Sequence, residues 1–196
     1  NWPARLVAMR SVELLAFLII PNALAPILFW AVLQFRRPFV RLCGGAKQAC
    51  WCFFGLQAAV TCARAYGTKQ YTGTPDWGTF EFGIPAVGYA LIAAGIILNI
   101  FVYYRLGVCG VYYGSAFGVK MPWCTQWPYG PAGPLPGIPH PQYWGVFAQT
   151  LGVALHAGTV FALAFTLVTG IAYVVIVKVE NHYFSEIDNE RKKSAR

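Results

Sequence analysis

The chain alternates long uncharged apolar runs with short basic or proline-rich segments. Residues 14–35 carry no charged side chain, which suits one membrane crossing at ~20 residues per span. Pro21 and Pro26 lie inside this run and predict a kinked helix. Residues 48–63 form a shorter uncharged run, and residues 82–104 the cleanest one, with Pro85 near its start, where a helix tolerates proline. Residues 143–177 are again free of charge. As one straight helix they would run ~52 Å at 1.5 Å per residue, well beyond a hydrocarbon core of ~30 Å. The stretch is therefore expected to break at His156-Ala157-Gly158-Thr159 and fold into a hairpin. Residues 121–141 cannot be helical, because prolines recur at 122, 128, 131, 134, 136, 139 and 141 and each removes a donor and clashes with the preceding turn. Trp123, Trp127 and Tyr129 suit this loop to a membrane interface.

Composition supports the membrane reading. Over 196 residues the chain is 57% hydrophobic and only 11% charged, whereas charged residues make up about a quarter of a soluble domain. A small soluble fold cannot hide so much apolar surface. An ordinary soluble enzyme, a disordered chain and a disulfide scaffold are excluded. The expectation is an all-α integral membrane protein, a bundle of four to five transmembrane helices whose last two form a helical hairpin. The net charge of +8 comes from 15 basic and 7 acidic residues. The basic residues lie between apolar runs rather than on one polar stripe, which favours a membrane surface over nucleic acid. Arg36, Arg37, Arg41 and Lys47 place the first connection in the cytosol, and residues 64–81 on the far side. Arg105, Lys120, the proline-rich loop and the basic tail at 191–196 then return to the cytosol, provided that the last run is a hairpin. Arg5 and Arg10 before the first run resemble the charged start of a leader, but the run is long for one and is read as a retained span. The six cysteines form no CxxC pair and read as small buried hydrophobes, not as a metal site.

Few residues could carry chemistry. Gly107, Gly110, Gly114 and Gly118 would form one stripe on a helix, for close helix packing or for close approach of a cofactor. His140-Pro141-Gln142-Tyr143-Trp144-Gly145 closes the proline-rich loop and opens a membrane helix, a place that favours anions. Glu180-Asn181-His182 follows the last apolar run, and a hairpin would bring Glu180 back towards His140, where a carboxylate could hold a cationic or amine ligand. No Walker loop, HExxH or GxSxG is present. The polar groups within the apolar runs include Asn22, Asn99, Gln149 and His156, and of these only His156 is ionisable. A transporter or proton relay normally needs several such groups.

In this order, the glycine segment 107–118, Met121-Pro-Trp-Cys-Thr-Gln-Trp-Pro-Tyr129, His140-Pro-Gln-Tyr-Trp-Gly145 and residues 180–187 resemble the phospholipid N-methyltransferase family. More distantly they resemble isoprenylcysteine carboxyl methyltransferases. The resemblance covers residues 83–191. It divides the chain into N-terminal membrane helices (1–81), a methyltransferase-like membrane domain (82–190) and a basic tail (191–196). It implies S-adenosylmethionine as methyl donor and the amine head group of phosphatidylethanolamine, or of its mono- and dimethyl forms, as acceptor. The site would lie at the cytosolic face of an endoplasmic reticulum or other organelle membrane. The family's GxG in the third span reads Ala93-Ala94-Gly95 here. Its Asn/His-Pro-x-Tyr-x-Gly turn matches at His140, Pro141, Tyr143 and Gly145, and its Glu-Glu pair reads Glu180-Asn181. A tyrosine usual a few residues later is Asp188. The resemblance thus implies Glu180 and His140 as catalytic, and Gly95, Gly107, Gly110, His140, Tyr143, Gly145, Glu180 and Asn181 as cofactor-binding. Arg105 and Lys120 would pair with the lipid phosphate.

The three departures motivate an alternative, a catalytically degenerate methyltransferase-like subunit of a larger membrane complex. Its partners would be other membrane subunits, with residues before 81 offering the contacts.

Overall fold

The computed structural model describes residues 2–71, 79, 84–120 and 140–194. Among the described residues seven helices follow in order: α1 (Trp2–Gln34), α2 (Arg36–Leu42), α3 (Ala46–Tyr71), α4 (Pro85–Val111), α5 (Gly114–Phe117), α6 (Pro141–Ala157) and α7 (Val160–Ser194). Three segments among them are long and apolar enough to cross a membrane: Leu15–Gln34, Pro85–Phe117 and Val160–Ile187. The expected helical membrane bundle with a terminal hairpin stands. Two further long helices, α3 and α6, complete it. α6 has 17 residues, and α3 carries Lys47, Arg64 and Lys69 along its length.

The hairpin turns where the uncharged run had to break. α6 ends at Ala157, Gly158 adopts the left-handed conformation with φ 63°, and its N–H donates to the Ala154 carbonyl. A residue with a Cβ is disfavoured in that conformation, so glycine at this position ends the helix. α7 then continues through Lys178 into the polar tail as one helix of 35 residues. Glu180 therefore lies inside a helix, not beyond it.

α4 and α6 pack antiparallel at close range. Gly88 faces Gly152, and Gly95 faces Gly145 and Gln149. A Cβ on Gly95 would sit 2.3 Å from the Gly145 carbonyl oxygen, and one on Gly152 would sit 2.5 Å from the Gly88 carbonyl oxygen. Lipid tails are as apolar as leucine, so such helices associate through van der Waals contact that only small residues permit. α1 runs parallel to α7. The Thr169 hydroxyl donates to Asn22 Oδ1 at 3.0 Å, and further along Tyr183 donates to Gln34. Buried residues of α1, α3, α5 and α7 meet in one core around Phe29, Leu33, Phe53, Tyr113, Phe117 and Ile176. α1 and α3 thus share a core with α7 and the segment around α5. Ile96, Ile97, Ile100, Phe101, Leu167, Ile171 and Val174 point outward, as lipid-facing residues do.

Two expectations are corrected. The glycine stripe 107–118 does not lie on one helix. Gly107 takes φ 65° and ψ 175°, α4 ends at Val111, and Tyr113 is left-handed before α5 begins. Nor does the connection after the second run begin at Arg64. α3 continues to Tyr71 and carries Arg64 against the other helices. The proline-rich loop at 121–139 lies outside the described residues.

Candidate active site

Glu180 is the focus of a buried polar cluster. Only 2% of its surface is exposed. The Tyr113 and Tyr143 hydroxyls both donate to Glu180 Oε1. Glu180 Oε2 lies 3.0 Å from His140 Nδ1. Three elements converge here: the turn before α5 brings Tyr113, the first turn of α6 brings His140 and Tyr143, and α7 brings Glu180. A carboxylate out of water needs such compensation, because burying an unpaired charge costs far more than burying a neutral polar group. The contact with Glu180 also fixes the proton of His140 on Nδ1, since only an N–H can donate to a carboxylate.

The chain is bent to make these contacts. Tyr113 and His140 are the two non-glycine residues with positive φ among the described residues, at 59° and 52°. The left-handed region costs an ordinary L-residue about 1–2 kcal/mol, and strain of this kind gathers at functional sites. Each residue supplies a donor to Glu180. Tyr113 is held by aromatic rings: Phe29 at 5.4 Å edge-on, Phe53 at 5.8 Å stacked, and Phe184 at 5.6 Å between centroids. His140 follows the proline-rich segment 121–139, and Pro141 opens α6, where a missing N–H costs nothing.

The aromatic contacts continue away from the cluster. His140 stacks on Tyr143 at 5.6 Å and 14°, and Tyr143 on Tyr173 at 4.8 Å and 19°. The guanidinium carbon of Arg64 lies 5.8 Å from the centre of the Tyr173 ring. Tyr143 and Tyr173 also line a cavity of about 240 Å³ in the middle of the bundle, together with Gln57, Arg64, Asn99, Tyr103, Gln142 and Gln149. Four of its side chains hold buried polar atoms without a hydrogen-bond partner: Gln57 Nε2, Arg64 Nε and Nη2, Asn99 Oδ1 and Gln142 Oε1. Buried polar atoms are rarely left unpaired, and a cluster of them around one space marks room for a polar ligand.

The remaining sequence candidates scatter. Gly95 and Gly145 are buried in the α4–α6 contact, where Gly145 also abuts the Asn99 side chain. Asn181 is exposed, one residue along α7 from a buried glutamate. Gly110 is buried against Leu106, and Gly107 has open space around its Cα. Arg105 and Lys120 are exposed, and neither lines the cavity. His140, Tyr143 and Glu180 are brought together. Tyr113, Tyr173, Arg64, Gln57 and Gln142 were not among the candidates. Only Arg64 carried a signal, a charge directly beside an uncharged run.

The family model for phospholipid methyltransferases matches residues 84–191. The chain belongs to the phospholipid methyltransferase family. The phosphatidyl-N-methylethanolamine N-methyltransferase of Emericella nidulans is 36% identical over 117 residues, covering 57% of this chain and 55% of that protein. The phosphatidylethanolamine N-methyltransferase of Rattus norvegicus is 28% identical over 176 residues, covering 86% and 84%. The phosphatidyl-N-methylethanolamine N-methyltransferase of Arabidopsis thaliana is 34% identical over 110 residues, covering 56% and 59%. Against several such curated relatives the match spans only about half of their length. No solved structure matches. The matched segment contains all four members of the Glu180 cluster, whereas Gln57 and Arg64 of the cavity wall precede it.

Within the cluster, Tyr113→Phe removes one hydroxyl and keeps the ring in its aromatic box. It leaves the Glu180 charge with one donor fewer, at a cost of about 1.5–3 kcal/mol for a bond to an ionised group. Thermal unfolding in detergent should show the lower midpoint. An unchanged midpoint would mean that Tyr113 does not support Glu180.

Proposed function

We propose that this protein transfers a methyl group from S-adenosylmethionine to the amine head group of phosphatidylethanolamine or its mono- and dimethyl forms, at the cytosolic face of an endoplasmic reticulum or other organelle membrane. The observation that carries the reading is the buried Glu180, held by Tyr113, Tyr143 and His140, next to a cavity whose wall shares Tyr143. The donor set fits the methyl donor. The orphaned acceptors Asn99 Oδ1 and Gln142 Oε1 suit its cationic groups, and the Tyr103, Tyr112 and Tyr143 rings that line the cavity suit a sulfonium and an adenine. When bound, S-adenosylmethionine supplies an electrophilic methyl carbon.

The chain's own residues bind, orient and desolvate. A lipid amine arrives as an ammonium, with an ordinary pKa near that of lysine, about 10.4, and must lose a proton before it can attack. Burial among the apolar side chains that share the cavity wall disfavours the charged form. Glu180 supplies the negative charge that favours cations at this end of the bundle, and it fixes the His140 ring through Nδ1. The stacked rings of His140, Tyr143 and Tyr173 keep the wall rigid, so the two reactants meet in one orientation, which is the main source of rate for such a displacement. Residues 82–190 form the methyltransferase unit, with α1 and α3 completing its walls.

The test is methyl transfer by the purified protein in mixed micelles, with radiolabelled S-adenosylmethionine and each of the three lipid acceptors. Labelled lipid in the organic phase is the expected result. No transfer, no cofactor binding by calorimetry, and co-migration with a larger complex on mild extraction would overturn it in favour of a non-catalytic subunit.

A further inference from the structure

Arg64 is the least expected group in the bundle. It sits on α3 with Gln57 and Thr61 at helical spacing, so all three line the central cavity from one side. Its Nη1 donates to the Tyr173 hydroxyl at 3.5 Å, while Nε and Nη2 are buried without a partner. Among the described residues no carboxylate pairs with it. An arginine stays protonated in proteins, so it cannot escape the cost of burial by losing its charge. Its Nε–H and Nη2–H point along the same edge of the guanidinium, and this edge takes two oxygens of one oxyanion in a bidentate pair. Gln57 Nε2, also without a partner, adds an amide donor on the same helix face.

We propose that Arg64, assisted by Gln57, holds the phosphodiester of the phospholipid substrate inside the bundle. The adjoining space identifies the source of the oxyanion. A second cavity of about 460 Å³ shares Thr61, Arg64, Val146, Gln149 and Tyr173 with the first; Lys69 joins Arg64 in its lining, and Val153, Phe161, Ala162 and Phe165 form its apolar walls. A polar end that opens into an apolar chamber matches a phospholipid, with its phosphate at Arg64 and its hydrocarbon among the phenylalanines. The carboxylate of the methyl donor is the other oxyanion within reach, and it has no apolar tail to fill that chamber.

This inference rests on the methyl-transfer reading for the identity of the lipid, and its experiment separates the two. Arg64→Gln and Arg64→Lys are compared with the unaltered protein in three measurements. These are phosphatidylethanolamine retained through detergent exchange, counted by native mass spectrometry; the apparent KM for that lipid in mixed micelles; and the Kd of S-adenosylmethionine without lipid. Arg64→Gln should lose the retained lipid and raise the lipid KM by roughly thirtyfold or more, as expected when one member of a buried ion pair is removed. Arg64→Lys should fall between the two, because it keeps the charge and loses the bidentate edge. The S-adenosylmethionine Kd should stay within about twofold of the original in both. Diacylglycerol, which lacks the phosphate, should not displace the retained lipid.

Unchanged lipid retention and KM in Arg64→Gln would overturn the proposal. So would a weakened S-adenosylmethionine Kd with lipid binding intact, which would assign the oxyanion to the methyl donor. In lipid-free detergent Arg64→Gln should unfold at a higher temperature than the unaltered protein, since it removes an unpaired buried charge. A lower midpoint would show that the guanidinium has a partner already, and would overturn the proposal too. Lipid retention that depends on Arg64 without any methyl transfer would leave the site standing and remove the methyl-transfer reading.

Discussion

Glu180→Ala is expected to abolish detectable methyl transfer and to lower the unfolding midpoint in detergent. The alanine takes away the acceptor of two tyrosine hydroxyls and one imidazole N–H at once. Each buried donor left without a partner costs about 1–3 kcal/mol. The left-handed turns at Tyr113 and His140 lose the contacts that compensate their strain, and the proton of His140 is no longer fixed on Nδ1. Glu180→Gln separates charge from shape. Its amide oxygen can still accept from the tyrosines, but its NH₂ meets the N–H of His140, donor against donor. Losing this charge-assisted contact costs about 1.5–3 kcal/mol of stability, and losing the carboxylate charge near the cavity should weaken the cofactor Kd, by roughly tenfold for about 1.4 kcal/mol of lost attraction. Calorimetry measures that affinity, and initial rates with radiolabelled S-adenosylmethionine measure the transfer. Affinity and rate within about twofold of the original in Glu180→Gln would remove the carboxylate charge from the mechanism.

The second large effect is expected in the contact that holds the site together from behind. In Gly95→Leu a Cβ would lie 2.3 Å from the Gly145 carbonyl oxygen and 2.8 Å from Gln149 Cγ. The first of these is backbone and cannot swing aside. α4 and α6 must separate, and overpacking of a tight contact costs about 1–3 kcal/mol or more. The separation would move Asn99 and Tyr103 on α4 away from Gln142 and Tyr143 on α6, so methyl transfer should fall along with stability. Gly55→Ala is the matched control. It too lies inside a helix, but a Cβ there meets nothing within 4 Å. Replacing glycine by alanine at an open helical position favours the helix by up to about 1 kcal/mol. Unfolding midpoints in detergent compare the two variants. If Gly95→Leu unfolds where the original protein does, the α4–α6 contact is not the close one described.

These two predictions bear differently on the family pattern. Glu180, which the resemblance matches to one member of a glutamate pair, sits at the centre of the buried cluster. Gly95, which the resemblance links to the cofactor, lies against α6 in this fold. Asn181, which stands where the second glutamate would be, is exposed on α7. The surviving glutamate thus occupies the buried face of its helix, and the altered position occupies the outward one.

Much of the architecture was legible along the chain, because its causes are local. Uncharged runs too long for water-soluble helices fix the membrane class, and a run too long for one crossing must turn. Gly158 is where it turns, as the only residue in its neighbourhood without a Cβ. The pairing of His140 with Glu180 was also legible, since a hairpin brings the first residue of one arm beside the far end of the other. The cluster's other members could not be read this way. Tyr113 reaches Glu180 only because the chain breaks at Gly107 and again after Val111, and a smooth glycine stripe concealed both breaks. Arg64 looked like the end of a span until α3 carried it onward into the bundle. Sequence periodicity reports one helix at a time, whereas a cavity is made where α1, α3, α4, α6 and α7 fail to fill the space between them. The sequence by itself therefore determined the membrane class, the hairpin and the approach of His140 to Glu180. Only the tertiary structure decided which donors surround Glu180, which way Gly95 and Asn181 face, and that an unpaired arginine lines an internal cavity, because each of these depends on contacts between helices distant in the chain.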